Sequence, residues 1–413
     1  MRLAALTLVV LTAATGCGPG PLVRRGRVNE AMVTQVRERL VAARGLDFKR
    51  PVPTRALDPD EVSAAVGDEL ARTLSPEDRA RAERVYTRLG LLPPGTALGP
   101  TMQRLFATQL AAFYDPRTGS LAVATSAANL GGTEMRMVSA VTGRDLLGEL
   151  IVAHELTHAL QDQHWGLPRD PEPGVAANTD RLLARRALLE GDATWASVAT
   201  VTGGRIDDDA RARIIPQLER LRGQLAASVP DVPPLLRDTL AFQYTDGTKF
   251  VDRLLARGGW AAVDRAQADP PTSSEQVLHP ERYLAARRDV PTPVEVAGTR
   301  MLEREGFTLT VSDTMGEAVI RIYASAVLPP AEAARVAAGW DGDRLLAFAR
   351  GDDLVVVWMT VWDTAADAVE FADAVPLMAP GALVQRRGTR VLVLLGSWPA
   401  ALPAHVWAGQ ASR

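Results

Sequence analysis

The chain has 413 residues, 47% of them hydrophobic and 23% charged, which is enough apolar material for two or three packed domains. A formal net charge of −3 implies no basic face and argues against nucleic acid as a partner. Lys49 and Lys249 are the only lysines among 46 basic residues, so the arginine excess reads as the coding bias of a GC-rich genome and not as phosphate recognition.

Met1-Arg2 is a short cationic start, Leu3 to Ala14 is apolar, and Gly16-Cys17 follows. An apolar run of about 12 residues has the length of a signal-peptide core and is too short to span a bilayer comfortably. Ala14-Thr15-Gly16-Cys17 resembles a bacterial lipobox, with Ala14 where that motif usually has leucine. The resemblance implies a lipoprotein signal peptide over residues 1–17 and lipidation of Cys17. It also implies export to the bacterial cell envelope, with lipid anchoring to a membrane. Cys17 is the only cysteine, so no internal disulfide can form. No other apolar run reaches 18 residues, and no transmembrane helix is expected.

Residues 18–95 read as a Gly/Pro-rich linker followed by a helical region. Asn29 caps a helix running to Ala43. Ser75-Pro76-Glu77-Asp78 is a strong helix start, with Gly90 as its stop. Leu91 to Gly95 is a break. Asp115-Pro116-Arg117-Thr118-Gly119 between two apolar runs predicts a β-hairpin from Tyr114 to Val123. Gly131-Gly132 and Gly143 punctuate the approach to the next helix, which Asp145 caps and which runs to about Gln163.

That helix carries His154-Glu155-Leu156-Thr157-His158, an HExxH pattern. Histidines four apart lie one turn apart on the same face, so both imidazoles can close on one zinc ion. Glu155 projects about 100° round from His154 and is placed to take a proton from a metal-bound water.

Catalytic zinc needs a third protein ligand. A proline-rich loop from Leu167 to Gly174 precedes a second helix, Thr179 to Thr202, that folds back antiparallel and carries Glu190-Gly191-Asp192-Ala193. Glu190 is the expected third ligand, and Gly191 would allow two helices to approach closely. His164 is a second candidate, but lies about 120° away from His158 on an undistorted helix. Asp162 and Asp192 are alternative acceptors for the outer nitrogen of a ligand imidazole. Further helices are expected over Asp208 to Ala227 and Gly247 to Ala256, the latter closed by Gly258-Gly259.

A boundary falls near Pro291-Thr292-Pro293, giving expected divisions of 96–292 and 293–413. The second division reads as a small α+β domain. Its strands lie over Leu345 to Ala349, Leu354 to Trp362 and Val391 to Gly396, with a helix from Thr364 to Val375. His405 is its only histidine. Trp195, Trp260, Trp340, Trp358 and Trp362 read as scattered packing residues.

HExxH followed by a helix bearing Glu190-Gly191-Asp192-Ala193 resembles the gluzincin branch of the thermolysin-like zinc metallopeptidases. Phe242 to Val251 with Gly258-Gly259-Trp260 resembles a helix that bacterial peptidases of this type place next. The hairpin Tyr114 to Val123 resembles their edge strands. The resemblance covers about residues 105–290 and implies an α+β fold: a mainly helical, zincin-like domain with a short edge sheet. It also implies His154, His158 and Glu190 as zinc ligands, Glu155 as general base, and a peptide or protein as substrate. Thr194 stands where thermolysin-like enzymes have an acid. The tetrahedral oxyanion needs one donor besides zinc, and family practice supplies Tyr or His; Tyr244, His279 and Tyr283 are available. Glu275 reads as a helix N-terminal charge or a supporting acid. The alternative reading is a non-catalytic zinc-binding lipoprotein that acts as a binding or scaffold module.

Overall fold

A computed structural model describes residues 20–73, 75–107, 111–129, 144–167 and 178–411. The leader with Cys17, the Gly131-Gly132 and Gly143 breaks, and all but the first residue of the loop expected from Leu167 lie outside the described residues.

The fold is α+β, with helices dominating the first two-thirds and one larger sheet near the C-terminus. A short hairpin of β1 (Val23–Arg24) and β2 (Arg27–Val28) precedes α1 (Glu30–Arg44). Then come β3 (Thr54–Leu57), α2 (Pro59–Thr73), α3 (Pro76–Leu89) and α4 (Leu98–Ala107). The expected caps form: Asn29 accepts from Met32 N, and Ser75 accepts from Asp78 N with Pro76 in the first turn. The strands correct the helical reading of this region. β3 is only four residues long, and its partner lies far along the chain, so local periodicity does not reveal it.

That partner belongs to the expected hairpin, β4 (Ala112–Asp115) and β5 (Ser120–Ala124). β5 pairs antiparallel with β4 and parallel with β3, which gives the order β3-β5-β4 and leaves β4 at one edge. Next follow α5 (Leu146–Trp165), α6 (Thr179–Thr202), α7 (Asp208–Ser228) and α8 (Pro234–Ala268). Asp145 caps α5 by accepting from Gly148 N, as expected. α8 is much longer than its sequence suggests. It begins at Pro234, well before the expected Gly247, and the non-helical backbone of Gly258 and Gly259 breaks it where a stop was expected, a second helical stretch continuing to Ala268.

After α9 (Ser274–Leu278), α10 (Pro280–Leu284) and α11 (Arg300–Arg304), five strands form an antiparallel sheet. They are β6 (Thr308–Asp313), β7 (Trp340–Arg350), β8 (Asp353–Trp362), β9 (Leu383–Arg387) and β10 (Arg390–Gly396), in the order β6-β7-β8-β10-β9. Helices α12 (Gly316–Ser325) and α13 (Pro330–Ala337) separate β6 from β7, α14 (Ala365–Met378) separates β8 from β9, and α15 (Leu402–Ala411) ends the fold.

Both faces of this sheet are covered, which explains why β8 is apolar without alternation. Val356 and Trp358 face a core that also contains Leu188, Phe250 and Val319; Val355 and Val357 face a second core with Leu392 and Val406. The first core runs unbroken across the Pro291-Thr292-Pro293 segment, so packing does not part there. A third core joins Met32, Val36 and Leu40 of α1 to Val152, Leu156 and Leu160 of α5. Among the described residues no helix is long and apolar enough to cross a membrane.

Candidate metal centre

α5 buries Val152, Ala153, Leu156, Ala159 and Leu160 against α1 and its neighbours. This orients His154 and His158 toward α6. His154 Nε2 lies 3.0 Å from Glu190 Oε2, His158 Nε2 lies 3.2 Å from His154 Nε2, and His158 Nε2 lies 3.7 Å from Glu190 Oε2. A tetrahedral ion with bonds of about 2.1 Å holds its ligand atoms about 3.4 Å apart. The three measured separations bracket that edge length, so these side chains fit a metal ion without rearrangement. All three are 15–18% exposed, sheltered from bulk water yet reachable from outside.

Burial disfavours charge on both sides of the cluster, but mutual attraction outweighs it. Glu190 holds the His158 imidazolium up to about 9, and the two imidazoles hold the Glu190 carboxyl well below the usual range.

The neighbouring positions are set by close helix crossing. A Cβ on Gly191 would lie 2.2 Å from Gly247 O, and one on Gly247 would lie 2.1 Å from Ala187 O. Gly191 does permit a close approach, but its partner is α8 and not α5. That contact brings Tyr244, three residues before Gly247, onto the cluster. Its ring stacks on His154 at 6.1 Å between centroids, and its hydroxyl lies beside Glu190. Burial, with Glu190 and Glu155 nearby, pushes the Tyr244 phenol well above its ordinary value, so it remains a donor at neutral pH.

Glu155 points to the edge strand, where Tyr114 N donates to its Oε2 at 3.0 Å. Burial raises the pKa of its carboxyl against the opposing pull of the two imidazoles.

Gln161 supports the cluster from behind and is the residue that sequence reading missed. Its Oε1 lies 2.8 Å from His158 Nδ1, and its Nε2 donates to Leu189 O and to Asp192 Oδ2. Asp192 thus reaches the imidazole only through an amide. The i,i+3 spacing of His158 and Gln161 was the available signal, since such residues share a helix face. Asp162 instead accepts from the Tyr114 hydroxyl at 2.8 Å.

The other sequence candidates are engaged elsewhere. His164 Nε2 meets Asp47 O at 2.9 Å, and His279 Nε2 meets Glu317 Oε1 at 2.9 Å. The Tyr283 hydroxyl donates to Asp269 O. Glu275 is buried with Arg282 beside it, and burial pushes its carboxyl up to about 9.

Residues 305–394, spanning most of the C-terminal sheet and none of the histidine cluster, match a family described as a domain of unknown function, DUF8575. No curated protein and no solved structure matches the chain.

Proposed function

We propose that the chain is an exported, membrane-tethered zinc metallopeptidase of the gluzincin type, with a zincin-like helical region. The observation that carries this reading is the convergence of two imidazole nitrogens and one carboxylate oxygen at tetrahedral spacing, with an independent carboxylate, Glu155, one residue along the same helix. Two histidines and a glutamate form a donor set typical of catalytic zinc, which supplies Lewis acidity and a bound water of pKa near 7.

The chain's own groups provide the rest. Glu155, steadied by the Tyr114 N–H, accepts a proton from the attacking water and delivers it to the leaving amine. The Tyr244 hydroxyl donates to the oxyanion that develops on the substrate carbonyl. β4 is an edge strand bonded to Glu155 through its backbone, so an extended peptide laid along its open side comes to the cluster. The membrane tether rests on the Leu3 to Cys17 sequence.

The test combines metal analysis with hydrolysis of an unfolded protein substrate. We expect one zinc per chain, loss of hydrolysis with a chelator and recovery on adding zinc. Glu155→Gln should retain zinc and lose about 10²–10⁴-fold in rate. Undiminished hydrolysis by Glu155→Gln rules the mechanism out, and bound zinc with no hydrolysis favours the scaffold alternative.

A further inference from the structure

We infer that helix α1 is a positioning element of the metal site, acting through an Arg44–Asp192–Gln161 relay that keeps the hydrogen of His158 on Nδ1 and so leaves Nε2 to the ion. The inference rests on the metal-site reading above and extends it to a part of the chain remote in sequence.

The orientation of the Gln161 amide carries the argument. One end of it lies 3.0 Å from Leu189 O and 3.1 Å from Asp192 Oδ2. A carbonyl and a carboxylate only accept, so that end must be the NH₂ group. The amide oxygen then faces His158 Nδ1 at 2.8 Å, and Nδ1 must carry the hydrogen of that bond. In the neutral ring the lone pair is then on Nε2, facing His154 and Glu190, as a metal ligand requires.

Asp192 can hold the amide only if it is itself fixed. Its side chain is fully buried, and Gln267 Nε2 donates to it at 2.9 Å. The only cation bonded to it among the described residues is Arg44, the last residue of α1, whose Nε donates to Oδ1 at 2.9 Å. Arg44 is locked in turn by Asp264 at 2.7 Å and by the Trp260 ring, 4.5 Å below its guanidinium. Without Arg44 the carboxylate loses its fixed direction. The Gln161 NH₂ then keeps Leu189 O as its one firmly placed acceptor, which weakens its preference for the orientation that fixes the metal-binding tautomer.

The experiment uses the full chain, with zinc affinity measured by competition against a chromogenic chelator. Gln161→Leu and Arg44→Met should each weaken zinc binding by about 10–100-fold. Arg44→Lys, which keeps the charge without the fork, should recover part of the loss. Leu392→Ala, in the distant sheet, should lower the melting temperature and leave zinc affinity unchanged. In the cobalt-substituted wild type, the His158 Nδ1 proton should appear as a shifted resonance protected from exchange, and Gln161→Leu should abolish that protection. If Arg44→Met does not fold, Gln161→Leu and the wild-type resonance decide. Wild-type affinity and an intact protected proton in Gln161→Leu overturn this inference alone. A wild type that takes up no zinc overturns the metal-site reading and this inference with it.

Discussion

Asp343 in the C-terminal region and Glu190 in the helical region are both acidic groups set in apolar surroundings, but their partners differ in kind. Asp343 accepts from the indole N–H of Trp340 and of Trp358 and from the backbone N–H of Met315 and Gly316. Each of these bonded partners is a fixed donor, and both carboxylate oxygens are taken. Glu190 faces two imidazole nitrogens, each of which can hold a proton toward it or present a lone pair. Such a group can exchange its proton for a metal ion, which an indole or a backbone N–H cannot do. A buried carboxylate is thus a structural anchor when fixed donors surround it and a candidate site when imidazoles do.

Tyr244→Phe sharpens this contrast most. It removes one donor beside the cluster and should lower kcat by about 10²–10³-fold, with KM and melting temperature little changed. Steady-state kinetics beside a thermal melt check both halves of that statement. Gly247→Ala should act on both stability and activity. Its Cβ would meet Ala187 O at 2.1 Å, so α6 and α8 must part, at a cost of about 1–3 kcal/mol in a denaturant titration. Tyr244 moves with α8, and turnover should fall as well.

Trp358→Phe is the counterpart in the sheet. It leaves Asp343 buried and short of one donor, which should cost about 1–2 kcal/mol of stability and leave zinc affinity intact. A change in zinc affinity with this variant would break the division between the two regions.

The smallest effect concerns the seam between them. Asp180, near the start of α6, accepts from Ser274 N and lies against Gly316. Burial, with Asp343 and Glu317 adding to it against the pull of the Ser274 bonds, pushes its carboxyl up to about 8. A raised acid stabilises the fold in its protonated form. That contribution is full below the unfolded value near 4 and is lost as pH rises through about 8. Melting temperature should therefore decline between pH 6 and 8.5, and Asp180→Asn should flatten the decline.

The chemistry-bearing part of this arrangement is largely legible in the sequence because its signals are local. Two histidines four apart, a glutamate between them and a cap at Asp145 all act within one helix, and Glu190 announces itself by the glycine beside it. Much of what supports the cluster is not legible. Arg44 meets Asp192 across 148 residues, and Thr54 of β3 finds Leu121 of β5 across less than half that stretch, through packing that no periodicity encodes. The break at Gly258-Gly259 is legible because it is local: the two glycines leave helical geometry through their own backbone, and only the helical stretch that resumes beyond them to Ala268 is not.

The most direct measurement is X-ray absorption at the zinc edge on purified full-length protein, together with Glu190→Ala. We expect one zinc per chain bound by two imidazole nitrogens and a carboxylate oxygen at about 2.0–2.1 Å, with the carboxylate contribution and most of the metal lost in the variant. Zinc far below one per chain in the wild type, or a zinc shell unaltered by Glu190→Ala, would contradict the account.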